Sequence, residues 1–201
     1  MKTNDKSNRF WLVLILMAVS FGFAHAQNER GATEFNQTRV DYNKKGMLIL
    51  GLWAAGNMAV GGVMAGRTSG ETKGFHQMNI YWNSVNLAIA GFGYYQATKE
   101  IPNSEFWATM EAQQGIEKIL LVNAALDVAY MAGGLFLLER GKRLEKDQFK
   151  GFGKSIVLQG AFLMGFDVVM YVFHNQNGQN LPKIFNKLEL TQNGIGLVFP
   201  L

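Results

Sequence analysis

The chain has 201 residues, of which 48% are hydrophobic, with 23 glycines, 3 prolines, no cysteine and a formal net charge of +4. That length suits one helical domain with tails, and the lack of cysteine excludes disulfides, thiolate nucleophiles and Cys-ligated metals. The basic surplus is modest and carries no stripe of interleaved aromatics, so no nucleic-acid partner is expected.

Residues 1–26 read as a secretory signal peptide. Lys2, Lys6 and Arg9 form a basic start, an apolar core follows, and Ala24, His25 and Ala26 supply the small-x-small cleavage pattern. An uncleaved anchor helix is the other reading, and both readings leave residue 27 outside the cytoplasm. Residues 27–46 are a polar lead-in, expected to be helical only in part. Asn36, Gln37 and Thr38 match a glycosylation sequon, which in an exported bacterial chain is read as chance.

Four apolar stretches follow, at 47–66, 76–97, 119–138 and 152–173. Each has about 20 residues, enough to cross a hydrocarbon core of roughly 30 Å as a helix. The mean hydropathy of +0.01 is low for a membrane protein, because polar tails and loops are averaged with strongly apolar spans. The expected fold is therefore all-α: a four-transmembrane-helix bundle over residues 47–173, with 174–201 as a tail that starts with a polar linker at 175–180 and ends at 194–201 in irregular or short-strand character. The first and third spans overlay without gaps, 47–50 on 119–122 and 59–62 on 131–134. The second and fourth overlay with Asn83 opposite Gln159, which suggests two repeated helical hairpins in parallel orientation.

Loop charge orients the bundle. The 139–151 loop carries Arg140, Lys142, Arg143, Lys146 and Lys150, and the 67–75 loop carries Arg67 and Lys73. The 98–118 loop sets Lys99 and Lys118 against Glu100, Glu105, Glu111 and Glu117. The positive-inside rule then places the first two loops in the cytoplasm and both tails in the periplasm, in a bacterial inner membrane. Pro102, Asn103 and Ser104 offer a helix start, with a short surface helix after it that Gly115 hinges into the third span. Residues 70–74 read as a flexible turn, and Gly62 with Gly66 as a close-packing motif.

Every span carries polar residues. Asn57 lies on the first, His76, Asn79, Asn83 and Asn86 on one face of the second, Asn123, Asp127 and Tyr130 on one face of the third, and Ser155, Gln159 and Asp167 on one broad side of the fourth. Unpaired polar groups are costly in hydrocarbon, so these faces should point into the bundle. The amides serve there as helix glue or line a polar interior. The two acids are the sharper signal, because an ionisable group inside a span suggests function. At about 1.5 Å per residue, Asp127 and Asp167 lie at about 12 Å and 9 Å from the same membrane face, so their carboxyls can meet. Such a pair could relay protons or bind a cation; alternatively each Asp bonds Asn57, Asn86 or Tyr130 and only fixes packing. The candidate site is thus Asp127, Asp167, Asn57, Asn83, Asn86, Asn123, Tyr130 and Gln159.

There is no phosphate loop, nucleophile elbow or metalloprotease helix, and no His pair at metal-binding spacing. No enzyme activity, metal or cofactor is expected, and a membrane enzyme with Asp127 as its acid ranks last. The runs 53–57, 75–83 and 126–134, with Trp53, Asn57, Asn79, Trp82, Asn83, Asp127 and Tyr130 among them, resemble an uncharacterised family of small bacterial four-helix membrane proteins. The resemblance spans about residues 46–174 and implies an envelope setting without an activity. Two function classes lead. One is transport or relay of a small solute, proton or cation through a polar bundle interior. The other is a non-enzymatic accessory or assembly protein that binds a partner through small-residue helix faces. Besides the lipid bilayer, a homo-oligomer or a membrane-protein partner stays open.

Overall fold

A computed structural model describes the backbone of residues 5–185, 189–191 and 194–196, and side chains over 30–184. Residues 1–4, 186–188, 192–193 and 197–201, which include Lys2 of the expected basic start and the end of the tail, lie outside the described residues. Four long helices dominate: α1 (Asp5–Arg67), α2 (Gly70–Lys99), α3 (Phe106–Arg143) and α4 (Asp147–Gly178). A short α5 (Leu181–Phe185) precedes an antiparallel pair, β1 (Glu189–Thr191) and β2 (Gly194–Gly196), in which Leu190 faces Ile195.

Three expectations change. The 27–46 lead-in is helical throughout as part of α1, and its buried face recurs at Ala32, Phe35, Asn36, Arg39 and Val40. That is amphipathic helical spacing, which a count of charges conceals. α3 runs unbroken from Phe106, with no surface helix and no hinge at Gly115. Residues 70–74 already belong to α2, and the turn shrinks to Thr68 and Ser69, with Gly70 at φ 56°, a left-handed conformation that suits glycine.

α1 packs on α2 and α3 on α4, and the two hairpins join chiefly through α2 against α4. The seams are built on glycine. A Cβ on Gly134 would lie 2.9 Å from the Gly153 carbonyl oxygen, and one on Gly141 would lie 2.6 Å from the Lys150 amide nitrogen. Gly74 meets the Gln148 backbone across the α2–α4 crossing at 3.0 Å. Missing side chains let backbones approach, which is how helices associate when no water drives them together. Gly62 and Gly66 depart from this expectation: a Cβ at either finds nothing within 4 Å, so their motif faces outward.

The interior and surface are inverted relative to a water-soluble protein. Buried positions include Asn83, Ser155, Gln159 and His174, each at 0% exposure, whereas Leu52, Val85, Phe92 and Phe136 are exposed. Soluble proteins bury their large apolar side chains; a hydrocarbon solvent reverses the preference. By length and composition α1 over Arg30–Arg67, α3 and the α4–α5 segment are apolar enough to cross a membrane. α2 is left out of that set, in keeping with the asparagines along its inner face.

Both hairpin turns lie at one end of the bundle. There Lys154 of α4 pairs with Glu71 of α2, and Gly70 approaches the Asp147 carboxyl. At the other end, the tail end, the lead-in part of α1 pins the α2–α3 loop. Asn36 Nδ2 donates to the Asn103 carbonyl at 2.6 Å and to Thr109 Oγ1 at 2.7 Å, and Arg39 pairs with Glu100 while its Nε donates to Asn36 Oδ1 at 3.2 Å. Asn36 is therefore enclosed, in agreement with reading its sequon as chance. Arg39→Met removes the cation while Asn36 Oδ1 stays buried. Because Glu100 is about a third exposed, the expected cost is only about 1–2 kcal/mol. It should be read as faster proteolysis within residues 100–105 with the four-helix content unchanged. An unchanged cleavage rate would mean the cap contributes nothing.

Candidate functional site

Polar residues inside the bundle form three layers. The first is the cap just described, which Gln113 and His174 extend. Gln113 Nε2 donates to the His174 carbonyl at 2.6 Å, and the fully buried His174 ring stands edge-on to Tyr42 with centroids 5.7 Å apart. Neither His174 ring nitrogen has a partner among the described residues.

The layer nearest the turns is a closed hydrogen-bond network centred on Gln159. Gln159 Nε2 donates to Asn79 Oδ1 at 3.0 Å and to Asn57 Oδ1 at 3.3 Å, and its Oε1 accepts from Trp53 Nε1 at 2.9 Å. Ser155 Oγ donates to Asn79 Oδ1 at 2.6 Å, and the Trp53 ring stacks on Phe162 at 3.7 Å. α1, α2 and α4 are thereby tied through side chains that leave almost no capacity for a ligand. Gln159→Leu should cost about 1–2 kcal/mol, because it strands the Trp53 indole N–H and half of Asn79. The check is thermal unfolding in detergent; a melting temperature equal to that of the parent would show that the network carries no net stability.

Between these layers lies a cavity of about 740 Å³, with walls from all four long helices. Its size falls within the roughly 300–1,000 Å³ of small-molecule sites. Asp127 of α3 and Asp167 of α4 both line it and are 3% and 6% exposed. The two carboxyls lie beside each other, with Asn123 next to Asp167. Two carboxyls can share a hydrogen bond only with one proton between them. Asp127 Oδ2 and Asn86 Nδ2 are buried without a partner among the described residues, and Asn86 also lines the cavity. Buried polar atoms without partners call for an explanation such as water or a ligand. The rest of the wall is largely apolar and aromatic, with Trp82 edge-on to Tyr130 at 5.1 Å.

The eight residues expected at one site therefore divide. Asp127, Asp167, Asn86, Asn123 and Tyr130 reach the cavity. Asn57 and Gln159 belong to the closed network. Asn83 sits between, with Nδ2 donating to the Asn79 carbonyl at 2.8 Å and Oδ1 unpartnered. The acids lie beside each other and Asn123, and among the described residues no hydrogen bond joins either to Asn57, Asn86 or Tyr130. The cap was missed altogether. The spacing of Asn36 and Arg39 with Ala32, Phe35 and Val40 was the signal available for it. Among the described residues no group of three metal-ligating side chains comes together.

The family described as "Family of unknown function (DUF6992)" matches residues 49–168, more than half of the chain, and the chain belongs to it. The matched stretch contains Asp127, Asp167 and the Gln159 network, and leaves out the lead-in side of the cap. Among curated proteins and solved structures nothing matches the chain.

Proposed function

We propose that this family member is an integral membrane protein whose Asp127–Asp167 pair binds a proton or small cation, for transport or relay through the bundle interior. The observation that carries this reading is the meeting of the two carboxyls on the wall of a sizeable cavity. Three helices apolar enough to span, a polar interior and an apolar surface support the bilayer setting. The basic residues at the turn end support a cytoplasmic turn end, periplasmic tails and a bacterial inner membrane. The cavity then lies in the periplasmic half, and the Gln159 network is the barrier that a transport cycle must open.

The test uses the full chain reconstituted in liposomes that enclose a pH-sensitive dye, with protons driven by an imposed diffusion potential. Flux at least tenfold above empty liposomes, lost in both Asp127→Asn and Asp167→Asn, is expected. Equal flux in parent and variants would remove the acids from the mechanism. A second reading, an accessory protein, rests on Gly62 and Gly66, whose open face suits close approach by another helix. Co-purification of one stoichiometric partner, released by Gly62→Leu, would favour it.

A further inference from the structure

We propose that the ligand of this cavity is an organic monocation with an apolar body, and that it enters sideways from the bilayer between α2 and α3. The proposal rests on the cation-binding reading above and specifies its ligand class.

The route follows from packing. α2 and α3 make next to no contact with each other, and Trp82 against Tyr130 bridges them only at one level. Elsewhere the gap is lined by Ile89 and Phe92 on α2 and Ile119 and Leu126 on α3, all exposed and all apolar. At the tail end the cap closes the bundle, with the buried Arg39 guanidinium and the Asn36, Thr109 and Gln113 hydrogen bonds. At the turn end the Gln159 network closes it. A ligand arriving from water on either side meets hydrogen-bonded side chains, whereas one dissolved in lipid meets an apolar slot.

The ligand class follows from the walls. A desolvated inorganic cation needs a shell of oxygens, six to eight for calcium and an octahedron for magnesium. This cavity offers two carboxyls and a few amides in a mainly apolar chamber far larger than an ion. An organic cation suits it better. One proton between two carboxyls leaves a single negative charge to be matched. Trp82, Tyr81, Phe92 and Phe166 line the cavity, and aromatic faces attract a cation within about 6 Å. Met47, Met78 and Met170 also line it, and flexible thioethers adapt to varied apolar shapes. The unpartnered Asp127 Oδ2, an acceptor on the cavity wall, is an independent indication that the chamber takes a cationic or hydrogen-bond-donating group.

The test measures equilibrium binding of tetraphenylphosphonium to the purified full chain in nonionic detergent. Tetraphenylborate has nearly the same shape with the opposite charge and serves as the comparison, and sodium serves as the inorganic one. Expected is saturable binding of one tetraphenylphosphonium per chain, at least tenfold tighter than tetraphenylborate. It should weaken at least tenfold in Asp127→Asn/Asp167→Asn. Ile89→Trp, on the exposed lip where no packing is lost, should weaken it at least fivefold and leave the melting temperature unchanged, which guards against misfolding of the acid variant. Equal binding of the two probes would mark the chamber as a slot for lipid chains and overturn the proposal. Acid-dependent binding of sodium, or acid-dependent proton flux, without tetraphenylphosphonium binding would overturn the organic ligand and leave the cation reading standing. Loss of all acid dependence would overturn both.

Discussion

Gly151→Leu and Gly153→Leu should give little or no folded bundle, while Gly133→Leu and Gly165→Leu should be tolerated. All four are glycines within apolar helices, and only their neighbours differ. A Cβ on Gly151 would strike the Glu71 carbonyl oxygen and lie 2.5 Å from the Phe75 amide nitrogen, both on α2. A Cβ on Gly153 would lie 2.5 Å from the Gly134 carbonyl oxygen and from the Leu138 amide nitrogen, both on α3. These are backbone atoms of rigid helices, with no side chain that could rotate away. Overpacking typically costs about 1–3 kcal/mol, and a collision of backbone with an added isobutyl group belongs at or above the upper limit. At Gly133 and Gly165 a Cβ meets nothing within 4 Å, and changes at open positions usually stay within about 0.5 kcal/mol. Thermal unfolding in detergent separates the two pairs. Similar melting temperatures for Gly151→Leu and Gly133→Leu would show that α4 is not wedged between α2 and α3. The two damaging variants should also differ from each other. In any folded fraction, Gly151→Leu should part α2 from α4 and break the Asn79–Gln159 bond, whereas Gly153→Leu should part α3 from α4.

Asp127→Asn and Asp167→Asn combined in one chain are expected to abolish cation binding and proton flux, at least tenfold in either assay, with stability moved by less than about 1 kcal/mol. An amide keeps the shape of a carboxyl and can both donate and accept, so the hydrogen bond between the two positions can be rebuilt. Measured contributions of such interhelical bonds average only about 0.6 kcal/mol. The single negative charge of the pair cannot be rebuilt by two amides. Gln159→Leu should behave in the opposite way, losing stability and keeping cation binding, because its partners Asn57, Asn79 and Trp53 lie outside the cavity wall. Measuring both variants in both assays tests the division of the interior into a structural layer and a binding layer. If Gln159→Leu lost cation binding as completely as the acid variants, the two layers would be one unit.

Part of this was legible in the residues alone. The apolar stretches, the polar stripe Asn79, Asn83 and Asn86, and the level of the two acids all follow from hydropathy and from the fixed rise of a helix. Depth along a helix needs no knowledge of its neighbour, so Asp127 and Asp167 could be placed opposite each other before any packing was seen. The family match over 49–168 agrees with the resemblance carried by Trp53, Asn57, Asn79 and Asp127.

What only the tertiary structure decided is rotation and neighbourhood. Periodicity shows that Asn57, Gln159, Asn86 and Asn123 lie on inward faces. It does not show that Asn57 and Gln159 saturate each other with Trp53 while Asn86 is left unpaired beside the acids. That depends on where the glycine seams let α4 settle against α2 and α3, a balance of close backbone contacts with no one-dimensional signature. For the same reason Gly62 and Gly66, which match the packing pattern by spacing, face outward, while Gly151 and Gly153, two residues apart, carry the crossings. The gap between α2 and α3 is the clearest case. A missing contact leaves no mark on either helix, since the lips Phe92 and Ile119 are as apolar as exposed residues elsewhere on the bundle, such as Leu52 and Phe136. Helix length and helix faces are properties of each segment in its solvent; the chamber exists only because four segments dock and two of them do not meet.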